Sequence, residues 1–167
     1  MNNNLLFDFT VDKENKKIHV KRQFNADLNL VWDAWTQPEM LDQWWAPKPY
    51  RTKTKSMDFR EGGSWLYAMI SPADEKHWCR ADYKKIETLK SFSAQDGFCD
   101  EEGNINLQFP RSFWTNAFSE LDETTVVHIT IEYEQLSDLE KIIEMGFKEG
   151  FTMGLGNLDE LLLILKK

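Results

Sequence analysis

The chain has 167 residues, 41% of them hydrophobic, and a formal net charge of −8. That length suits one domain, residues 1–167; the acidic balance excludes nucleic acid and anionic membranes as partners, because both reward clustered Lys and Arg. Aromatic residues make up 13%, with seven Trp, more large rings than a core of Leu, Ile and Val uses, and this points to a lined cavity.

The N-terminus, Met1-Asn2-Asn3-Asn4, lacks the basic and apolar regions of a signal peptide. Leu5 to Val11 and Ile18 to Phe24 alternate on either side of a polar turn, Asp12 to Lys17, and predict an opening hairpin. Two short helices are expected next. Asp27 caps the first, whose Leu28, Val31, Trp32 and Trp35 lie three and four apart. Thr36-Gln37-Pro38-Glu39 reads as a capping box for the second, which carries Met40, Leu41, Trp44 and Trp45 and is stopped by Pro47 and Pro49. Trp44 and Trp45 cannot share one face, so one is expected inside and the other half exposed at a rim.

The middle of the chain reads as an antiparallel meander. Its runs are Thr52 to Phe59, Ser64 to Ile70, His77 to Ile86, Phe92 to Phe98 and Phe113 to Phe118, with turns at Arg60-Glu61-Gly62-Gly63, Ser71-Pro72-Ala73-Asp74 and Asp100 to Asn104. Ile105 to Pro110 is irregular. Thr124 to Tyr133 is the clearest strand, with Val127, Ile129, Ile131 and Tyr133 inward and His128, Thr130 and Glu132 outward.

From Ser137 onward the pattern is helical. Ser137-Asp138-Leu139-Glu140 has capping-box form, and Phe147, Phe151, Leu155, Leu158, Leu162 and Leu165 line one face. Lys148, Glu149, Thr152 and Asp159 fall on the wet side. Gly146, Gly150 and Gly154 form a row beside the stripe, each costing about 1 kcal/mol relative to Ala inside a helix. Close backbone packing against a sheet explains the row, with a kink at Gly146; the alternative is space kept open beside Phe147 and Phe151. The element order is an α+β architecture, a sheet with its helix segregated to one face.

Several stretches resemble one family closely. They are Asn25 to Pro38, with its Val31-Trp32-Asp33-Ala34-Trp35; Trp44-Trp45-Ala46-Pro47; Arg60 to Trp65; and Gly146 to Phe151 leading into Asn157 to Leu161. The family is that of bacterial proteins similar to the C-terminal domain of the activator of heat-shock protein 90 ATPase, within the START-like (SRPBCC) helix-grip superfamily. The resemblance runs from about Ile18 to Leu165. It implies a helix-grip fold: a curved antiparallel sheet of about seven strands plus an N-terminal hairpin extension over residues 1–15, two short helices after the first core strand, and a long C-terminal helix across the concave face. It also implies a cavity between sheet and helix that holds a hydrophobic small molecule, of lipid or polycyclic aromatic type. The eukaryotic activator's separate chaperone-engaging domain has no counterpart in these residues, so a chaperone partner is the less favoured expectation.

Catalytic and metal motifs are absent from the sequence. His19, His77 and His128 fall in strands, away from any Cys, Ser or carboxylate at motif spacing. Cys79 and Cys99 lie far apart, are expected to be reduced, and suggest no metal. The longest aliphatic run, Leu161 to Leu165, is too short to span a bilayer, so a cytoplasmic protein without membrane insertion, metal or cofactor is expected. The candidate ligand wall is Trp65, Tyr67 and Met69; Tyr83; Phe92 and Phe98; Trp114, Asn116 and Phe118; and Phe147, Phe151 and Leu155 from the helix, with Trp44 or Trp45 closing the mouth. Tyr67, Tyr83 and Asn116 would orient a ligand. A carrier is favoured. A cyclase- or aromatase-like enzyme using Tyr67, Tyr83 or Asp82 is one alternative, and a protein-interaction module that modulates a chaperone ATPase through an exposed apolar patch is another.

Overall fold

The structure, a computed structural model, describes residues 5–166. Met1 to Asn4, where no export signal was read, lie outside them, as does Lys167. Eight strands form one antiparallel sheet: β1 Phe7–Asp12, β2 Lys17–Phe24, β3 Arg51–Met57, β4 Ser64–Ile70, β5 Lys76–Glu87, β6 Ser91–Phe98, β7 Ser112–Leu121 and β8 Thr124–Glu132. Their spatial order is β1-β2-β8-β7-β6-β5-β4-β3. The sheet is thus a strand larger than the seven expected, because β1 pairs with β2 from Phe7↔Arg22 to Asp12↔Lys17 and is the sheet's own edge rather than an appendage. The opposite edge, β3, carries Arg51, Lys53 and Lys55, charges that discourage pairing with another chain.

Alternation sets the inner face. Val127, Ile129 and Ile131 of β8 are fully buried, as are Ile18 and Val20 beside them. Helices α1 (Leu28–Thr36) and α2 (Pro38–Trp44) follow β2. Asp27 caps α1 as expected, its Oδ1 accepting the Leu30 N–H at 2.9 Å, an interaction worth about 1 kcal/mol. The Thr36 capping box does not form. Gln37 is the N-cap of α2 without a side-chain bond, and the Thr36 hydroxyl instead donates back to the Trp32 carbonyl at 2.8 Å. Pro38 at the first helical position needs no donor satisfied, so α2 starts without a side-chain cap.

The C-terminal segment is two helices, not one: α3 (Leu136–Glu144) and α4 (Phe147–Leu165). Gly146 separates them in the left-handed region at φ 91°, which a residue with a Cβ adopts only at a cost. The Ser137 box is not formed either. Gln135 is the N-cap, and Ser137 sits inside the first turn with its hydroxyl 3.3 Å from the Gln135 side chain.

α4 buries Phe151, Leu155, Leu158, Leu161 and Leu162, each aliphatic one contributing about 1.5–3 kcal/mol. Leu165, expected on that stripe, is 42% exposed, and its neighbours Leu163 and Ile164 are exposed as well. The glycine row does not pack on the sheet: Gly150 and Gly154 face the segment that ends α2, and Gly146 has nothing within 4 Å of a Cβ. A Cβ on Gly154 would stand 3.1 Å from the Trp45 carbonyl oxygen, and one on Gly150 would stand 3.6 Å from Pro47. Asn157 Nδ2 donates to the Ala46 carbonyl at 3.0 Å, so α4 satisfies a backbone acceptor at the end of α2. Arg22 of β2 pairs with Asp159 and ties α4 to the sheet. No helix among the described residues is long and apolar enough to cross a membrane.

Candidate functional site

The helices cover the sheet unevenly. At one end α1 lays Trp32 and Trp35 on Phe118, with centroids 5.1 and 6.0 Å apart, and Trp32 meets Phe92 edge-on at 5.8 Å. Such pairs add about 0.5–1.5 kcal/mol beyond the area they bury, and that end is closely packed. At the other end the sheet faces the junction of α3 and α4, which does not reach it. A cavity of about 260 Å³ remains there.

Its floor is strand: Tyr67 and Met69 of β4, Cys79 of β5, Phe98 of β6 and Trp114 of β7. Its roof is Ile142 of α3, Met145 and Gly146 at the junction, and Phe147, Gly150 and Phe151 of α4. Phe147 and Phe151 stack 5.2 Å apart and stand edge-on to Trp114 at 5.9 and 5.5 Å. They close one wall without filling the space. Trp45 closes another. Its ring packs on Trp65, Trp114 and Phe151 at 5.6, 5.8 and 6.0 Å, and its Nε1 donates to the Tyr67 hydroxyl at 3.1 Å.

One corner is polar. Asp96 of β6 accepts from the Ser112 hydroxyl at 2.5 Å, the Ser112 N–H at 3.1 Å and Trp114 Nε1 at 2.9 Å. Burial pushes its carboxyl above the ordinary carboxylate range, against the pull of those bonds and of the Arg111 charge. Burial likewise lifts the Tyr67 hydroxyl well above its usual value and the Cys79 thiol to about 12, so both are neutral at pH 7 and Cys79 is no nucleophile.

A smaller void of about 40 Å³ lies behind this corner. Trp45, Tyr67, Asp96 and Trp114 line both spaces and form the partition between them. Among the described residues Trp35 Nε1 and Asn116 Oδ1 have no protein hydrogen-bond partner, and both residues line this smaller void.

Of the residues expected on a ligand wall, the structure brings Tyr67, Met69, Phe98, Trp114, Phe147 and Phe151 around the larger cavity, with Trp45 at its side. Trp65, Tyr83, Phe92 and Asn116 line only the smaller void. Trp44, Phe118 and Leu155 line neither; they are core. Trp44 is 1% exposed and spends its Nε1 on the Ala34 carbonyl at 2.8 Å. Trp45 is the partly exposed partner of the pair. Asp82, a candidate proton donor, lies outside both spaces, held by Arg111 at 2.8 Å and Arg80 at 2.7 Å. Asp96, Ser112, Cys79 and Tyr133 were not singled out as site residues. Parity carried the signal: Asp96 alternates inward with Phe92, Ala94 and Phe98 on β6, and an acid on an apolar face is the anomaly that reports a site.

A sheet gripping a C-terminal helix over an internal cavity defines a protein of the helix-grip class. The chain belongs to the family described as activator of Hsp90 ATPase homolog 1-like protein, whose model matches residues 25–163. Protein Ms6760 from Mycobacterium smegmatis is similar over 95% of this chain and 96% of its own, with 27% identity and a TM-score of 0.86. A protein from Arthrobacter aurescens is 26% identical over 93% of this chain and 90% of its own, with a TM-score of 0.88. One from Staphylococcus epidermidis is 28% identical over 92% and 93%, with a TM-score of 0.80. No functionally curated protein matches the chain.

Proposed function

We propose that this protein binds and carries an apolar small molecule in the cavity between the sheet and the α3–α4 junction. The observation that carries the proposal is the 260 Å³ space walled by aromatic rings with one polar corner, the composition of small-molecule sites generally. Its size is just under the usual range of about 300–1,000 Å³ for such sites and suits a compact ring system better than a two-chain lipid.

Trp45 and Trp114 border the cavity, so an apolar ligand will quench tryptophan fluorescence. Ligand at a hundred times its Kd will stabilise the fold by about 2.7 kcal/mol and raise the melting temperature accordingly. Cys79→Leu, which enlarges a floor residue, will abolish both responses in a protein that still melts cooperatively. Native mass spectrometry of freshly purified protein provides an independent check. If nothing co-purifies and a broad panel of ring compounds leaves the melting point unmoved, carriage is wrong.

Asp96 supports a second reading, an enzyme of the cyclase or aromatase kind, since it is an acid with a displaced titration inside the cavity. Turnover would then follow the titration of that group and vanish in Asp96→Asn.

A further inference from the structure

The walls of the larger cavity contain four groups that titrate, Tyr67, Cys79, Asp96 and Tyr133, and no Lys, Arg or His. Each of the four is neutral or negative, never positive. Arg111 is the cation near this corner, and it is committed elsewhere: its Nε donates to the Asp96 backbone carbonyl at 3.0 Å, and its terminal nitrogen to Asp82 at 2.8 Å. An anionic head entering the cavity would lose its water and find no charge to replace it.

The hydrogen bonds at Asp96 sharpen this. A carboxylate offers about four acceptor positions. Oδ1 receives both Ser112 donors, and Oδ2 receives Trp114 Nε1. Every protein partner of this carboxyl is a donor, and one acceptor position on Oδ2 remains at a residue bordering both the cavity and the void behind it.

We propose that the carried molecule joins an apolar ring body to a hydrogen-bond donor, a protonated amine or a hydroxyl, that Asp96 receives this donor at its fourth acceptor position, and that carboxylate-headed molecules such as fatty acids are rejected. This rests on the cavity being a carrier site. Naphthylmethylamine, naphthalenemethanol and naphthoate share a ring body that suits the space and differ in the head, so they separate the two claims.

Titrated against the intact protein by tryptophan quenching and thermal shift, the amine and the alcohol are each expected to bind at least about ten-fold more tightly than naphthoate, the effect of one hydrogen bond to a charged group. Asp96→Asn is expected to erase the advantage of the amine. Because Asp96 must be ionised to hold an ammonium, amine affinity in the unaltered protein is expected to fall as the pH drops from neutral toward the ordinary carboxylate range, while alcohol affinity changes less. That titration needs no variant, so the proposal is testable even if Asp96→Asn does not fold. Naphthoate binding as tightly as the amine, an advantage that survives Asp96→Asn, or an amine affinity indifferent to acid overturns the assignment of the head group and leaves carriage standing. Silence from all three probes removes carriage and this assignment together.

Discussion

Asp82 and Asp96 lie on neighbouring strands, β5 and β6, and their surroundings push them in opposite directions. Burial acts to raise the Asp82 carboxyl, but hydrogen bonds from Arg111, Arg80 and Ser64 outweigh it and hold the group below its usual value. At Asp96 burial wins and the value is raised. Linkage turns these directions into stability. Asp82 contributes stability above its unfolded value, and this is lost as pH falls through the lowered folded value. Asp96 contributes most below its unfolded value, and this is lost as pH rises through the raised one. Asp82→Asn should therefore cost more near pH 7, on the order of 1–3 kcal/mol and toward the lower figure because water reaches the pair, than below about pH 4. Asp96→Asn should show the reverse trend, comparing better with the unaltered protein near pH 7 than near pH 4. Melting curves across that range check both, and parallel pH profiles for the two variants would contradict the assignment.

At the scale of elements, the glycines of α4 test how the helix is seated. Gly154 meets the Trp45 carbonyl oxygen, with 3.1 Å available to a Cβ, whereas Gly156 has nothing within 4 Å. Both are helical, so propensity alone favours Ala at either by up to about 1 kcal/mol. Gly156→Ala should deliver that gain. Gly154→Ala should lose more than it gains, by about 1–3 kcal/mol, because backbone rather than a flexible side-chain tip must yield. Denaturant unfolding of the pair decides it. Equal gains would mean that α4 is not held against the end of α2.

α3 and α4 also differ in how firmly they are held. Of the nine residues of α3 only Leu139 is buried, against seven buried residues in α4. Amide exchange should accordingly be faster in α3 than in the centre of α4, since local opening follows the apolar surface it exposes. Ile142 of α3 and Met145 just past its end roof the cavity, so bound ligand should slow exchange in α3 more than in α4. Uniform exchange through both helices would count against α3 as the movable side of the cavity.

For the molecule as a whole, a strand's inward set follows from alternation, which is local. Val127, Ile129 and Ile131 inward on β8, Trp65 and Tyr67 inward on β4 and the Asp27 cap were all legible from residue types and spacing. The same reasoning overreached at Thr36 and Ser137, where cap-forming residues make other bonds because the helix ends are set by Pro38 and by burial of Leu139. Periodicity also treated every inward apolar residue as equivalent. Trp44, Phe118 and Leu155 proved to be core, while Tyr67, Phe98 and Trp114 border open space.

The chain by itself determined the α+β order, the inner face of each strand, the family likeness and the surplus of rings. Only the tertiary structure decided where those rings leave room: α1 fills one end of the sheet, the break at Gly146 holds the α3–α4 junction clear of the other, and Asp96 stands between. Volume is the difference between surfaces contributed by segments far apart in the chain, and no periodicity within a segment encodes it.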